Sequence, residues 1–175
     1  MAALPNIPGL MRMLDARDRY VCLAGDEYDH KFDARRRPTW RRALAAWEWM
    51  QTRIARPRGR GYWFWGRSRE ELEPFLRSVF MPQQAQAMLT SGLYVHTFRE
   101  GKRLNHVNHD LITLDTLPER FEDKAPVVAL YPGPAAFDTL AARLDRSHQV
   151  LWLPWLESEM HELIVTYDMA EFRLE

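Results

Sequence analysis

VVALYPGPAAFDTLAARLDRSHQVLWLPWLESEMHELIVTY, residues 127 to 167, changes its apolar period at regular intervals. Val127 to Tyr131 and Gln149 to Leu153 are short apolar runs of the kind that become strands covered on both faces. Ala135 to Leu144 and Glu157 to Tyr167 carry their apolar residues at helical spacing instead. Strands that alternate with helices in this way pair in parallel, since a helix between two strands is the connection that parallel pairing needs. The sequence therefore predicts an α/β fold: a single compact domain with a mixed sheet, a β-α-β-α C-terminal part and several N-terminal helices.

Working outward from that stretch, Leu93 to Phe98 is a further strand candidate, and the Glu100-Gly101-Lys102 turn leads either into a hairpin strand over Arg103 to Val107 or into a helix. Pro82 opens a helix that passes Met88 and Leu89 and ends at Gly92. Ser68 and Glu71 have capping-box spacing ahead of Leu72, Phe75, Leu76 and Val79, with Pro74 set to kink that helix or delay its start. Tyr62 to Trp65 reads as a buried strand, entered through a basic, flexible connection of Arg56, Arg58, Gly59, Arg60 and Gly61. A helix from Pro38 to Ile54 has an apolar stripe of Trp40, Leu44, Trp47 and Ile54, which leaves Arg41, Arg42 and Arg53 pointing elsewhere. Tyr20 to Ala24 is a short apolar strand, and Ile7 to Ala16 a short helix. The 175 residues suit one domain over 1–175, with a basic aromatic part at 1–110 and an acidic part at 111–175.

The formal net charge is zero, yet the charge is unevenly spread. Residues 35 to 69 hold eleven arginines against one acid, Glu48, together with five of the seven tryptophans, whereas Asp110 to Glu175 holds five basic and thirteen acidic groups. Such asymmetry points to an anionic partner for the basic part. Arginine outnumbers lysine twenty-one to three, which reflects GC-rich coding as well as function. Cys22 is the only cysteine, so neither a disulfide nor a CxxC zinc site forms within one chain, and a cytoplasmic setting is expected. No run approaches the roughly 20 apolar residues of a membrane span, and the N-terminus lacks the pattern of a signal peptide.

Several constellations bear on chemistry. Asp26, Glu27 and Asp29, with His30, follow the first strand, where α/β proteins often face a ligand crevice. Asp26 and Asp29 are oxygen ligands that suit Mg²⁺ or Mn²⁺, with Asp26 and Glu27 as catalytic carboxylates for phosphodiester hydrolysis. A turn of solvated carboxylates balancing Arg35 to Arg37 is the ordinary alternative. The letters DEYDH resemble a helicase acidic box, but no GxxxxGK[ST] phosphate loop occurs in the sequence. His106, His109 and Asp110 form an HxxHD pattern that on a helix brings two imidazoles to one face for acid/base work. His161 and Glu162 start like HExxH, but the fifth position is Val165. Pro132 to Pro134 is a tight βα connection, whose following amides are the alternative place for a phosphate. No serine has a GxSxG context.

Tyr94 to Arg103, YVHTFREGKR, resembles the strand and glycine-arginine box of the ParB/sulfiredoxin-like superfamily, in which glycine, a polar residue and arginine stand at a phosphate-binding helix start. Gly101, Lys102 and Arg103 fill those places. The resemblance implies a small α/β fold binding nucleotide or DNA phosphate, as in partition, nuclease and plasmid fertility-inhibition proteins. Two functions compete on these readings. One is a nucleic-acid-associated accessory protein with phosphodiesterase or nucleotide-hydrolysing activity, holding DNA or RNA phosphate through an arginine-rich rim of Arg35, Arg36, Arg37, Arg56, Arg58 and Arg60. The other is a non-catalytic protein-protein interaction or inhibitor module, such as a plasmid or phage accessory factor, docking through Trp and Arg.

Overall fold

The computed structural model describes residues 18–24, 60–66, 68–121, 125–154 and 157–173, together with Arg42, Ala45, Ala46 and Trp49. Its strands are β1 (Tyr20–Ala24), β2 (Arg60–Gly66), β3 (Leu93–Glu100), β4 (Arg103–Thr113), β5 (Val127–Leu130), β6 (Val150–Leu153) and β7 (Ala170–Arg173). They form one sheet in the order β3-β4-β2-β5-β6-β1-β7. β3 and β4 pair antiparallel, and every other neighbouring pair is parallel. The mixed α/β sheet expected from residues 127 to 167 is therefore present, with β5 beside β6.

All residues of β1, β5 and β6 are buried, which is why their sequences are continuous apolar runs rather than alternating ones. Their side chains divide between two cores. Val21, Leu23, Val128, Leu130, Leu151 and Leu153 lie in the first, with residues of helix α1 (Arg69–Val79), helix α2 (Pro82–Ser91) and the helical Ala45, Ala46 and Trp49. Tyr20, Cys22, Ala24, Val127, Ala129, Val150 and Trp152 lie in the second, with residues of helix α3 (Pro134–Ala141) and helix α4 (Met160–Tyr167). The result is three layers, helices on both faces of a largely parallel sheet.

Several expectations are corrected in detail. Between residues 40 and 54, the described inward face is Arg42, Ala45, Ala46 and Trp49, spaced i, i+3, i+4 and i+7. Arg42 thus points into the protein, not away from it. The small alanines allow a close approach to the sheet, and Arg42 finds backbone acceptors there. Trp40, Leu44, Trp47 and Ile54, like the helix expected over residues 7 to 16, lie outside the described residues. Pro74 does not delay α1, which begins at Arg69 and carries the proline inside it with an exposed ring. Arg60 and Gly61 belong to β2 rather than to a flexible connection.

Residues 103 to 107 are strand, the hairpin option, because Gly101 turns the chain at φ 61°, a left-handed conformation that glycine adopts without steric cost. The helix expected over 157–167 starts as a 3-10 turn, Glu157–Glu159, before α4. β7 was not expected at all. It alternates half-buried and exposed residues and, among the described residues, pairs only along β1, so it is a short edge strand without a continuous apolar signature. At the end of β2, a Cβ on Gly66 would sit 2.5 Å from Leu72 Cδ2 and 2.7 Å from Leu72 Cγ. Glycine there lets α1 pack directly on the strand.

Candidate functional site

The parallel strands β4, β2, β5, β6 and β1 all end at the same edge of the sheet. After β1 the chain packs Ala45, Ala46 and Trp49 on the first core and continues to β2; after β6 it packs α4 on the second core and continues to β7. Adjacent strands whose connections leave in opposite directions create the crevice where open α/β sheets take ligands. In this protein Arg42 occupies it. The guanidinium is buried, and its Nη1 donates to the carbonyl oxygens of Leu23 at 3.3 Å and Pro154 at 2.9 Å. The carbonyl dipoles at the ends of β1 and β6 thus face the chain's own cation.

The neighbouring turn is equally committed. Tyr131 has φ 57° and donates its N–H to Leu153 O at 2.8 Å, while Trp152 Nε1 donates to Pro132 O at 3.3 Å. Glu159 Oε1 lies 4.0 Å from where a Cβ on Gly133 would stand. A carboxylate at that distance disfavours an anion at the start of α3, so Pro132 to Pro134 is a tight βα connection and not a phosphate cradle. Asp26, Glu27 and Asp29 follow β1 in sequence but lie outside the described residues, as do Arg35, Arg36, Arg37, Arg56 and Arg58. Arg60 is a strand residue at the start of β2, opposite Asn108.

Gly101, Lys102 and Arg103 sit at the other edge of the sheet. β4 runs parallel to β2, so its first residue, Arg103, belongs to the edge where the parallel strands begin. The helix start implied at these residues by the family resemblance is replaced by a strand. β2 joins β4 only from Asn108 onward, whereas β3 and β4 stay paired from His96 with Val107 out to Glu100 with Arg103. Among the described residues, that outer part of the hairpin is a two-stranded ribbon with no third strand. Arg99, Lys102, Arg103 and His106 are exposed on it. Val95 and Leu104 are exposed too, at 42% and 56%.

The HxxHD pattern lies on strand β4, not on the helix that would bring its two imidazoles to one face. On a strand the odd spacing of positions 106 and 109 puts them on opposite faces. Positions 106 and 110 share a face but stand about 13 Å apart along the strand, from the usual rise per residue. Among the described residues no group of three His, Cys, Asp or Glu side chains is close enough to hold a metal. Cys22 is not a nucleophile either. Burial, with Glu171 nearby, pushes its thiol up to about 12.

Sequence reasoning missed an open cleft of about 680 Å³ where β1 begins, lined by Arg19, Tyr20, Asp138, Asp145, Arg146 and Tyr167 among others. Arg19 donates to Leu144 O and Asp145 O at 3.3 and 2.7 Å and lies 4.8 Å over the Tyr20 ring. Tyr167 donates to Asp138 Oδ1 at 2.5 Å. Burial first, and then that carboxylate, push the Tyr167 phenol up. The only local signal was the pairing of an aromatic helix end with acidic residues, and nothing in the sequence brings Arg19 to residue 145.

Asp145 anchors the adjoining turn. It accepts from the Ser147 hydroxyl, from the Ser147 N–H at 2.7 Å and from His148 Nδ1 at 3.0 Å. The Ser147 bonds, ahead of His148, hold the carboxyl at about 2 instead of the ordinary 3.8. A depressed carboxyl favours the folded state above the unfolded value and loses that contribution as pH falls from about 4 through about 2. Asp145→Asn is therefore expected to lower Tm at pH 7 and to converge on the parent as pH approaches 2; calorimetry across that range checks it, and a pH-independent gap would refute the assignment.

No protein-family model matches this sequence, and no curated protein matches it. Among solved structures the fold is similar to a point mutant of the large terminase ATPase domain of Thermus phage P74-26, with a TM-score of 0.51 and 11% identity over 83% of this chain and 63% of that one. The same ATPase domain in another structure gives a TM-score of 0.46 at 12% identity, with the same coverage. The chain spans less than two thirds of the length of these domains. At such identity the likeness is one of fold.

Proposed function

We propose that this chain is a nucleic-acid-associated accessory protein that holds an anionic backbone through the basic end of the β3–β4 hairpin. The observation that carries the reading is the ribbon itself: Arg99, Lys102 and Arg103 are solvent-exposed beyond the last β2 pairing. Cations on a projecting element reach a phosphate backbone without desolvating the rest of the molecule, and each contact releases condensed counterions. The likeness to a phage terminase domain is consistent with an accessory factor of a phage or another mobile element. Arg35, Arg36, Arg37, Arg56 and Arg58 would extend the basic surface.

The reading includes no hydrolytic step. Arg42 bonds the ends of β1 and β6, and positions 106 and 110 stand about 13 Å apart along β4. Replacing Arg99, Lys102 and Arg103 together with alanine is expected to weaken DNA binding and to reduce the slope of log affinity against log salt by about 2, close to one for each of the tip cations Lys102 and Arg103. Fluorescence anisotropy at several ionic strengths measures both. An unchanged slope and affinity would sink the proposal.

A docking reading has one specific observation in its favour, the apolar Val95 and Leu104 exposed beside Arg99. It takes over if the parent chain binds no nucleic acid but retains a protein partner after nuclease treatment, and the triple variant releases that partner.

A further inference from the structure

Resting on the nucleic-acid reading above, we infer that the ribbon takes duplex DNA by its major groove, with Arg99 and Leu104 as a cross-strand pair that touches base edges. Paired residues on antiparallel strands share a face, so Arg99, paired with Leu104, and Val95, paired with Asn108, lie on one face together with His106, which pairs with Thr97. That face displays Arg99 opposite the exposed Leu104, with Val95 exposed four residues back along β3. A phosphate backbone alone offers nothing to Val95 and Leu104. The major-groove edge does: guanine presents O6 and N7 to an arginine fork, and thymine presents a methyl group to an apolar contact.

The dimensions agree. Strands lie about 4.8 Å apart, so a ribbon with its side chains suits a groove about 12 Å wide and about 8.5 Å deep. From Asn108, the first β4 residue paired to β2, to Arg103 the ribbon extends about 17 Å at the usual rise per residue. That is enough to reach the groove floor. Lys102 and Arg103, at the tip, reach phosphates and set position rather than sequence.

The alternatives fit less well. A single strand is held chiefly by stacking on aromatic rings, but the described residues of this face are Leu93, Val95, Arg99, Leu104, His106 and Asp110, with no Phe, Tyr or Trp among them. Duplex RNA has a major groove too narrow for side chains to read.

Anisotropy on mixed-sequence duplex DNA, the same single strand and the matching RNA duplex separates these cases, with circular dichroism confirming that each variant is folded. Duplex DNA is expected to bind about tenfold or more tightly than the other two. Replacing every guanine by 7-deazaguanine should cost the parent chain at least about fivefold and should cost Arg99→Ala nothing further. Replacing thymine by uracil should weaken the parent but leave Leu104→Ser unaffected. Equal affinity for the three nucleic acids, or indifference of the parent chain to both base substitutions, overturns the groove assignment while leaving phosphate binding intact. Failure to bind any of them overturns both.

Discussion

Trp152→Ala is expected to destabilise the protein by about 3 to 5 kcal/mol, the range for a fully buried aromatic truncated in a core. Trp152 is fully buried in β6, with Ala129 of β5 on one side and Cys22 of β1 on the other. Its ring lies 5.6 Å from that of Phe137, and its Nε1–H satisfies Pro132 O at 3.3 Å. Alanine removes the packing and strands a carbonyl in the turn before α3. At about 2 to 4 °C per kcal/mol for a chain of this size, Tm should fall by about 6 to 20 °C. Trp152→Phe keeps most of the packing and loses only the donor, so a drop of about 1 to 2 kcal/mol is expected from it. A loss below about 1 kcal/mol for the alanine variant, in denaturant or thermal unfolding, would contradict the position assigned to the ring.

The second large effect is at Arg42, where alanine is expected to cost about 3 kcal/mol. The guanidinium donates to two carbonyls at strand ends that are otherwise buried, and leaving such acceptors unmet costs about 1 to 3 kcal/mol each. Arg42→Met tests whether donors or volume matter, because it restores bulk without restoring either bond. Both variants should melt lower than the parent by a similar margin. Arg42→Lys should rescue only in part, since an ammonium is more strongly hydrated than a guanidinium and costs more to bury. If Arg42→Met proves as stable as the parent, the guanidinium is not what joins the ends of β1 and β6.

The fate of Arg42 shows where sequence reading runs out. Two stripes coexist between residues 40 and 54: Trp40, Leu44 and Trp47 on one, Arg42, Ala45, Ala46 and Trp49 on the other. Aromatic weight favours the first. The described inward face is the second, and its choice depends on Pro154 O, more than a hundred residues away. Runs such as Tyr20 to Ala24, Val127 to Leu130 and Val150 to Leu153 were legible because strands covered on both faces need no partner to explain their composition. Helix α2 was legible from Pro82 and Gly92, whose N–H bonds Met88 O at 2.8 Å.

β7 was not legible, because four residues with alternating charge resemble any surface segment. The site was harder still. Gly101 to Arg103 could be singled out by residue type, but strand order is set by pairings across the whole chain. Only the order shows that this turn and the end of β1 belong to opposite edges of the sheet.

The position of β1 has a consequence for synthesis. Tyr20 pairs with Val150, and Val21 with Ala170, so both neighbours of β1 are made about 130 residues or more after it. At typical elongation rates of about 5 to 20 residues per second, β1 waits roughly 6 to 25 s for the first of them. Through that interval Val21, Cys22 and Leu23 have no strand to lie against. A nascent chain in this state is a natural client for a chaperone that shields short apolar segments, and the closing of the sheet around β1 becomes a late step in folding.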